Sequence, residues 1–532
     1  MIEKIFIQNY KIYNSFDLEL NDTLNLIVGD NEAGKSTILE AINLALTKKL
    51  NGRNIDHEIS PYLFNKECVD AYLKDLHDKK PAILPKIIIE LYLKAQPDLE
   101  FLRGSMNSKG EDTVGVKLEI AFDDDFKEEY ASLVKDSVDD IKLIPAEYYK
   151  ATWYSFANNG VTLRGLPIRL SYIDATSIRL QSGTDYYLQD IIKTDLEPKE
   201  RVSLSVAYRK LKEIFSKEDS IRAINSKLTT KKGAITEKDL SISIDISQRT
   251  NWESNLVPHL DELPFQLSGM GEQNALKIML ALERKATDSN IILMEEPENH
   301  LSFPSMHRLI TKVHEKCNGK QIIITTHSAY VLNKLGLENL ILLNKNKTTS
   351  LKALPTDTQA YFKKLSGYDT LRLVSAKESI LVEGPSDELI VQRAYFDKHK
   401  ALPIEKGVDV INVRGLSFIR FLQIAKELNK KVCVVTDNDG DYVEKVDKKY
   451  SIYSSDTNIK ICRSDDNDRK TLEPQLLKAN NLTTLNRIFG TSYLTEPELL
   501  KYMSENKTEC ALKIFESTES ISYPDYVLSA IG

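Results

Sequence analysis

The sequence lacks the features that place a protein in a membrane or in an oxidising compartment. No apolar run approaches the roughly 18 residues that a membrane-spanning helix needs. The N-terminus alternates apolar and polar residues and carries acids early, which is not typical of a signal peptide. Only five cysteines occur, far apart and without a CxxC pair, so neither a zinc site nor a disulfide framework is indicated. We expect a cytoplasmic protein with no membrane partner.

The chain also lacks a net positive charge. The chain of 532 residues has a formal net charge of −7, which argues against a surface that binds nucleic acid throughout but leaves room for a local basic groove. Lysine clusters at 48–53, 230–238 and 345–352 are candidate contacts, although solvated loops are the simpler interpretation. With 42% apolar and 28% charged residues, the composition is that of an ordinary globular protein.

Strand and helix patterns alternate in two blocks, which predicts parallel α/β sheets in two domains. The first block reads as two strands, a glycine-rich turn and a helix within 1–45, then a strand at 86–94. Its strand and helix signals resume at 266–345. The second block follows residue 376, and the last 55 residues read as mostly helical.

Two stretches lie outside these blocks. Residues 355–377 read as a connector between the two predicted domains. The stretch from about 100 to 262 has a mixed pattern that predicts little beyond a helix at 204–216. We treat it as an insertion and expect it to carry assembly or partner contacts.

A phosphate-binding loop is the first chemical motif. LNLIVGDNEAGKSTILEAINLAL contains Gly-x-x-x-x-Gly-Lys-Ser between an apolar strand and an apolar-periodic helix, the context that this loop requires. Backbone N–H groups and the helix N-terminus hold the phosphates, Lys35 neutralises the terminal ones, and Ser36 binds Mg²⁺. The expected nucleotide contacts are Gly29, Asn31, Gly34, Lys35, Ser36 and Thr37.

Three further stretches follow in an order that suits an ATPase. SNIILMEEPENHLS ends a buried strand in Glu295 and Glu296, where one carboxylate can hold the Mg²⁺ hydration shell and the other can orient the attacking water. QIIITTHS ends in His327, a candidate γ-phosphate sensor. FQLSGMGEQ opens a helix after Ser268 and Gly269, a terminus suited to anions. Each has an ordinary interpretation alone, but together with the loop they indicate ATP hydrolysis.

These motifs resemble the ABC-type ATPases of the SMC, Rad50 and RecF group. The resemblance implies that the signature of one subunit faces the nucleotide of another, and therefore a homo-oligomer, a dimer or tetramer, formed through the ATPase domain. The roles it implies are phosphate and Mg²⁺ binding for Lys35 and Ser36, signature contact for Ser268 and Gly269, hydrolytic base for Glu296 and switch for His327. Glu295 stands where that group more often has Asp.

The second motif crowds acids at the end of a strand. In KKVCVVTDNDGD, Asp437 and Asp439 follow a buried apolar run, and like charges 4 Å apart repel by about 4 kcal/mol at an effective dielectric near 20. A calcium loop of EF-hand type needs Gly at its sixth and an acid at its twelfth position, whereas Gly440 is fourth and Lys448 is twelfth. A hairpin turn remains the alternative and would explain one or two of the acids.

Two more acids stand upstream of this motif. ESILVEGPSDELIVQRAYF places Glu383 at the end of another strand and Asp387 in the first turn of the next helix. The carboxyl ends of neighbouring parallel strands open onto one crevice, so we expect these acids to converge there. Asp437 and Asp439, two residues apart, are expected to point to the same side. Such an all-oxygen site favours Mg²⁺ or Mn²⁺.

These acids resemble the Toprim fold, and an ABC-type ATPase followed by a Toprim domain resembles the OLD (overcoming lysogenization defect) family. That family includes the nuclease subunit of Gabija anti-phage defence and nuclease effectors of some retrons. The resemblance covers roughly 1–100, 265–345 and 376–515. It implies an ATPase domain at 1–375 with the insertion, a Toprim core at 376–475, and a helical part at 476–532 that completes the site.

The resemblance implies an ATP-regulated, metal-dependent DNA endonuclease of anti-phage defence. Glu383, Asp437 and Asp439 would hold one ion, and Asp387 and Glu473 a second, with Asp466 a weaker candidate. Lys507 would neutralise the scissile phosphate, with Lys513 an open alternative. The implied partners are DNA and either a helicase-like subunit or a retron reverse transcriptase with its RNA–DNA product. The rival interpretations are a RecF-like DNA-binding scaffold without cleavage and a Toprim topoisomerase, for which none of the 24 tyrosines stands out.

Overall fold

A computed structural model describes residues 1–163, 165–174, 180–181, 184–185, 196–229, 241–242, 252, 257, 259–283, 291–316, 319–344, 347–415 and 417–532. The lysine cluster predicted at 230–238 lies outside these residues. Within them, no helix combines the length and apolar character needed to cross a membrane. The chain divides into two compact units, Met1–Leu24 with Ser36–Thr325, and Asn25–Lys35 with Thr326–Gly532.

The strands of four or more described residues are numbered in chain order. They are β1 Ile2–Tyr10, β2 Tyr13–Glu19, β3 Leu24–Gly29, β4 Ile87–Leu93, β5 Thr113–Phe122, β6 Tyr149–Ser155, β7 Leu170–Asp174, β8 Ile291–Glu295, β9 Gln321–Thr325, β10 Leu340–Asn344, β11 Lys347–Ser350, β12 Glu378–Val382, β13 Val408–Asn412, β14 Lys431–Val435 and β15 Ile459–Cys462. Two-residue strands lie at Lys49–Leu50, Arg53–Asn54, Arg103–Gly104, Leu180–Gln181, Thr184–Asp185, His259–Leu260 and Leu263–Pro264.

The α-helices of the described residues are numbered in the same way. They are α1 Lys35–Thr47, α2 Lys66–His77, α3 Lys127–Ser137, α4 Pro198–Lys217, α5 Asp219–Thr229, α6 Met270–Glu283, α7 Phe303–Lys316, α8 Ala329–Leu335, α9 Thr356–Lys364, α10 Thr370–Ser375, α11 Pro385–His399, α12 Phe418–Glu427, α13 Leu472–Ala479, α14 Leu482–Phe489, α15 Glu496–Glu505, α16 Lys507–Glu516 and α17 Asp525–Ala530.

The first unit contains an antiparallel sheet in the order β2-β1-β4-β5-β6. Its strand β4 is buried throughout and, apart from Glu90, is composed of aliphatic residues and a tyrosine, which confirms the strand predicted at 86–94. Strands β5 and β6 pair into the same sheet although they fall within the stretch expected to be an insertion. The N-terminus also differs from expectation, because 1–45 holds three strands and not two. The helix predicted at 204–216 is confirmed by α4.

A second, parallel arrangement in this unit positions the ATPase acids. Strand β8 pairs in parallel with β7 on one side and with β9 on the other. All three are short apolar strands with buried interiors, the pattern of parallel sheets covered on both faces. The register aligns Asp174 with Glu295 and Glu295 with Thr325, so the carboxyl ends of the three strands lie side by side.

The second unit contains a parallel sheet in the order β13-β12-β14-β15, as the α/β pattern after residue 376 predicts. Val382 pairs with both Asn412 and Val435, so β12, β13 and β14 end at one edge. Helix α11 and the C-terminal helices pack on this sheet through a shared apolar core. The stretch expected to be a connector forms α9 and α10. In the same unit, β3 pairs in parallel with β10, which pairs with β11 antiparallel.

Candidate functional site

The phosphate-binding loop joins β3 to α1. A Cβ on Gly29 would lie 2.5 Å from the carbonyl oxygen of Leu343, so the close approach of β3 and β10 requires glycine there. Gly34 has a φ of 94°, in the left-handed region that favours glycine. Lys35 is buried, and its Nζ donates to the carbonyl oxygens of Gly29 and Asp30, both at 2.9 Å. The cation is therefore held inside the loop where phosphates are expected.

The remaining predicted loop residues are accessible. Asn31 and Ser36 are exposed, and Gly34 and Thr37 are half-buried. The backbone of this loop therefore has an open side through which a nucleotide can approach. Their contacts with ATP stay predictions.

Glu295 faces two hydroxyl groups at the end of β8. Its Oε1 accepts a hydrogen bond from Ser36 Oγ, and its Oε2 accepts one from Tyr172 at 2.9 Å. Burial raises the pKa of Glu295, and nearby Asp174 adds to this, while the two hydroxyl donors oppose it. A loop serine paired with a strand-end acid is the pair that holds Mg²⁺ in phosphate-loop ATPases. Sequence reasoning missed Tyr172 and Asp174, whose only signal is the short run LSYID in an otherwise mixed region.

Glu296 takes a different direction from its neighbour. It has a φ of 43°, and its N–H donates to the carbonyl oxygen of Thr325 at 3.0 Å. Its Oε2 accepts a hydrogen bond from Asn299 Nδ2 at 2.8 Å. The left-handed backbone at Glu296 thus separates the two carboxylates, with Glu295 directed to Ser36 and Glu296 to Asn299.

In the signature turn of the first unit, Gly269 is exposed and Ser268 is half-buried. Ser268 follows a single 3₁₀ turn, and Gly269 precedes α6 and accepts backbone hydrogen bonds from Glu272 and Gln273. The Gln273 side chain donates to the carbonyl oxygen of Ser268 at 2.8 Å, which fixes the turn. Leu267, just before it, is 72% exposed. The turn is formed and open, as contact with another molecule requires.

His327 lines a cavity within the second unit. The cavity has a volume of about 690 Å³, and its lining includes Asp369, Arg372 and Asp409. Arg372 spans to Asp409 through two hydrogen bonds, from Nε at 3.0 Å and from Nη2 at 2.6 Å. His327 is thus placed beside residues of α10 and β13, and its role as a phosphate sensor stays a prediction.

Glu383 and Asp437 meet at the carboxyl edge of the second unit's parallel sheet. Glu383 Oε1 accepts hydrogen bonds from the N–H of Asp437 at 3.0 Å and from Thr436 Oγ1 at 2.6 Å. The two acids are 54 residues apart in sequence, but they follow the adjacent strands β12 and β14. Parallel pairing alone therefore brings them together.

Two more acids and a lysine complete this cluster. Asp387, in the first turn of α11, accepts a hydrogen bond from the N–H of Gly384 at 3.2 Å. Glu473 is only 5% exposed near the start of α13, and its Oε1 lies 3.1 Å from Lys507 Nζ. We call Glu383, Asp387, Asp437 and Glu473 the acid cluster.

The members of the acid cluster repel one another. Burial raises the pKa of Asp437 to about 8, with further increases from Asp387, Glu383 and Glu473 and a decrease from Lys507. Burial likewise raises the pKa of Asp387 to about 7, with Glu383 and Glu473 adding to it. Desolvation and like charges both disfavour the ionised carboxylate. The cluster therefore carries more negative charge than Lys507 compensates.

The acid cluster is defined by hydrogen bonds and mutual electrostatics. In the described part of the chain, no three Asp, Glu, His or Cys side chains already stand in metal-ligand geometry. The oxygen-only donor set and the crowding of its charges are nevertheless those of a site for hard divalent cations. A cation held there would relieve the repulsion that raises the two pKa values.

Asp439 does not have the environment that strand alternation suggested. Strand β14 ends at Val435, so the alternation of side chains does not extend to Asp439. This residue is exposed, has a φ of 49°, and accepts a hydrogen bond from Lys445 Nζ at its carbonyl oxygen. Buried Asn438 holds the turn by donating to the carbonyl oxygens of Ser464 and Asp466. Metal binding by Asp439 stays a prediction, but the expectation that Asp439 and Asp437 point to the same side of a strand no longer supports it.

The two alternative residues lie elsewhere. Asp466 pairs with Lys478 and Arg469, each at 2.8 Å, and the hydrogen bonds from these cations lower its pKa to about 2. Lys513 Nζ donates to the carbonyl oxygen of Phe489 at 3.0 Å. The structure therefore places Glu473 and Lys507, and not these alternatives, with Asp387 and Asp437.

Tyr526 belongs to this site and escaped sequence reasoning. It is buried on α17, which packs against β14, β15 and α11. Burial raises the pKa of Tyr526 well above its usual range, and all four members of the acid cluster add to the increase. The stretch SYPDYVLSAIG contains no motif that marks it, because its position depends on how the C-terminus folds back.

Comparison with known proteins supports an ATPase domain followed by a Toprim domain. The AAA ATPase domain family matches residues 1–332, and the Toprim domain of proteins like the overcoming lysogenization defect protein matches 376–439. Endonuclease GajA of Bacillus cereus (strain VD045) is 21% identical over 453 residues, which are 82% of this chain and 74% of GajA.

Two solved structures are also similar in part. The C-terminal region of the Burkholderia pseudomallei OLD protein has a TM-score of 0.25 and 19% identity, and covers 29% of this chain and 95% of its own. The SMC head domain from Thermotoga maritima has a TM-score of 0.30 and 13% identity, and covers 64% of this chain and 94% of its own.

Proposed function

The chain belongs to the AAA ATPase domain family and, with its OLD-like Toprim domain, to the OLD family of ATPase–Toprim proteins, and from this premise we propose that it is an ATP-regulated, divalent-metal-dependent DNA endonuclease. One observation carries the proposal. Glu383 and Asp437, which follow adjacent strands, meet through a 3.0 Å hydrogen bond from the Asp437 N–H to Glu383, beside half-buried Asp387 and buried Glu473. The relationship to a protein named endonuclease GajA supports the same reaction.

The acid cluster is proposed to bind the divalent cations. Its four carboxylates are oxygen donors that ionise more easily when a cation is near, and Mg²⁺ or Mn²⁺ suits such a set. Asp439, in the exposed turn that follows, is proposed as a further ligand. When bound, two such ions would activate water and stabilise the leaving oxygen of a phosphodiester.

Residues around the acid cluster have proposed positioning roles. The Thr436 hydroxyl holds Glu383, since it donates to Oε1 at 2.6 Å. Lys507, half-exposed beside Glu473, is proposed to pair with a phosphate oxygen of bound DNA and to neutralise its charge. The phenol of Tyr526, kept protonated by its surroundings, is available as a hydrogen-bond donor.

The nucleotide site is proposed to regulate this reaction. Lys35 now bonds to loop carbonyls, and we propose that it turns to the terminal phosphates of ATP. Ser36 with Glu295 would hold the accompanying Mg²⁺, and Glu296 would orient the attacking water. His327 would register the γ-phosphate.

Assembly through the ATPase domain is part of the proposal. The turn at Ser268 and Gly269, next to exposed Leu267, suits contact with the nucleotide of a second copy. We propose a homo-oligomer, dimer or tetramer, that acts on DNA in anti-phage defence. A helicase-like subunit or a reverse transcriptase with its RNA–DNA product is the proposed type of partner.

A topoisomerase is the second candidate, because Tyr526 lies with the acid cluster. A nucleophilic tyrosine would leave a covalent protein–DNA adduct on denaturing gels. The raised pKa of Tyr526 opposes this role, since the phenolate is the stronger nucleophile. We therefore favour hydrolysis.

Nicking of supercoiled plasmid in the presence of Mg²⁺ or Mn²⁺ tests the proposal. Asp437→Ala should abolish nicking and leave ATP binding at the wild-type level, because the acid cluster and the phosphate loop are separate sites. Asp466→Ala is the matched control, an acid of the same unit that pairs with surface cations, and it should cut like wild type. Full nicking by Asp437→Ala would remove the nuclease assignment.

A further inference from the structure

Two thiols face each other in the second unit. Cys433 on β14 and Cys462 on β15 have their Sγ atoms 3.3 Å apart. The register pairs Cys433 with Lys460 and Val435 with Cys462, so the cysteines are diagonal neighbours whose side chains emerge on one face of the sheet. Neither residue takes part in the nuclease or ATPase sites proposed above.

We propose that Cys433 and Cys462 form a dithiol that peroxide oxidises to a disulfide, and that this modification slows the neighbouring Toprim site. The oxidation itself is independent of the proposed nuclease function. Its effect on cleavage rests on that function.

Peroxide can reach the pair from solvent. Half-buried Cys433 lines a cavity of about 270 Å³, whose lining includes Lys431 and Lys460. Cys462 is buried, and its Sγ lies 3.3 Å from that of Cys433. Redox-sensing cysteines are accessible and stand next to a second cysteine that completes the disulfide, and this pair combines an accessible sulfur with a neighbour in contact.

The surroundings favour one thiolate in the pair. Hydrogen bonding from Cys433 lowers the pKa of Cys462 to about 7, burial opposes this, and the Ser529 hydroxyl and Lys460 support it. The same hydrogen bond raises the pKa of Cys433. The shared proton therefore stays on Cys433, and the thiolate of the pair forms on Cys462. Thiolate, and not thiol, is the form that attacks peroxide.

The chemistry balances with hydrogen peroxide as the oxidant. The Cys462 thiolate attacks one peroxide oxygen, the O–O bond breaks, and a sulfenic acid and hydroxide form. The hydroxide takes up the proton that Cys462 lost and becomes the first water. The Cys433 sulfur then attacks the sulfenic sulfur, the S–S bond forms, and the sulfenic hydroxyl leaves with the Cys433 proton as the second water. In sum, two thiols and one hydrogen peroxide give one disulfide and two waters.

Closing the bridge requires movement in the sheet. A disulfide has an S–S length of about 2.05 Å, so the sulfurs must approach by roughly a further 1.2 Å. Strands β14 and β15 must therefore shift relative to each other.

That shift reaches the acid cluster by two short routes. Strand β14 ends at Val435, directly before Thr436 and Asp437, which bond to Glu383. Ser529, whose side chain bonds to Cys462, lies on α17 three residues after Tyr526. We expect oxidation to displace both Asp437 and Tyr526, and so to lower cleavage severalfold.

Mass spectrometry of the full-length protein tests the modification. After treatment with hydrogen peroxide, the intact protein should lose two hydrogens, and proteolysis should yield a peptide pair linked through Cys433 and Cys462. Cys433→Ser should instead give a sulfenic acid at Cys462 that dimedone traps. Cys68→Ser, which removes a cysteine of the first unit, should form the disulfide as wild type does. The oxidation site is wrong if both cysteines remain open to alkylation under these conditions.

Cleavage and thermal unfolding test the consequence separately. The oxidised protein should nick plasmid more slowly and show a smaller Mn²⁺-induced rise in melting temperature. Dithiothreitol should restore the nicking rate and the rise. In Cys433→Ser, peroxide should change neither of them. A disulfide without either change would overturn the coupling. Absence of nicking by the reduced wild type would overturn the proposed nuclease function, while the mass measurement would still decide the oxidation site.

Discussion

The acids of the two proposed sites are held in opposite ways. Glu295 in the first unit faces hydroxyl donors, Ser36 and Tyr172, which satisfy its two oxygens. In the second unit, Asp437 and Asp387 face other carboxylates. Among the charged groups that shift the pKa of Asp437, Lys507 is the one cation. Buried carboxylates are tolerated when they are hydrogen-bonded or paired.

This difference indicates different uses of a cation. The hydroxyl partners keep Glu295 in place whether or not nucleotide and Mg²⁺ are bound, which suits a site that exchanges ATP. The acid cluster stores repulsion that only a cation or protonation relieves. We therefore expect the second site to depend on divalent metal for its stability as well as its chemistry.

The largest effect is expected from a pair of substitutions, one in the acid cluster and one in the nucleotide site. Glu383→Gln should lower cleavage by on the order of a hundredfold or more, as loss of a metal-site group does, and leave ATP hydrolysis unchanged. Glu295→Gln should lower ATP hydrolysis and leave metal binding at the acid cluster intact. Plasmid nicking and phosphate release, measured on both variants, check this. Equal loss of both activities in both variants would contradict two separate sites.

Trapping ATP should reveal whether the sites communicate. Glu296→Gln should bind ATP and hydrolyse it slowly, because the group that orients the attacking water loses its charge. Regulation by ATP predicts that the nicking rate then changes from that of wild type, upward or downward. A nicking rate equal to that of wild type, with ATP demonstrably retained, would show that hydrolysis and cleavage are not linked.

The dependence of the melting temperature on pH should report the repulsion among the carboxylates of the acid cluster. The folded-state pKa values of Asp437 and Asp387, about 8 and about 7, exceed the unfolded value near 3.9. The folded protein therefore binds more protons, and without metal its stability falls as pH rises from about 4 to about 8. Asp437→Asn cannot ionise, so its melting temperature in EDTA should exceed that of wild type at pH 8 and match it near pH 4.

Added Mg²⁺ supplies the control for this measurement. It should raise the melting temperature of wild type at pH 8 more than that of Asp437→Asn. Parallel pH profiles for the two proteins would mean that Asp437 does not experience the repulsion described above.

The smallest expected effect concerns Tyr526. Tyr526→Phe removes one hydrogen-bond donor and keeps the buried ring, so cleavage should fall by roughly tenfold or less with no loss of folding. Denaturing gels should show no protein–DNA adduct for wild type or variant. An adduct that disappears in Tyr526→Phe would reverse our preference for hydrolysis over topoisomerase chemistry.

The sequence predicts contacts that follow from local strand order. Glu383 and Asp437 come directly after apolar parallel strands, so their meeting at one sheet edge needs only the pairing of β12 with β14. Glu295 is placed beside Ser36 for a similar reason, since strand ends collect at the loop edge of an α/β sheet. Motif spacing is sufficient in such cases.

Contacts that depend on turns or on the folded-back C-terminus are harder to predict. The direction of Asp439 was argued from strand alternation, which stops where β14 ends at Val435 and a left-handed turn begins. Tyr526 reaches the acids only because α17 packs on β14. Strands β5 and β6 were expected to belong to an insertion because the pattern of their stretch is mixed, although β5 pairs with β4 and β6 with β5. Tertiary packing supplies this information, and local pattern does not.

Anomalous diffraction from crystals of the full-length protein soaked in Mn²⁺ tests the central claim most directly. The account predicts a peak within about 2.5 Å of carboxylate oxygens from both Glu383 and Asp437, lost in Asp437→Asn and kept in Asp466→Asn. A Mn²⁺ peak elsewhere in the second unit, with none between Glu383 and Asp437, would contradict it.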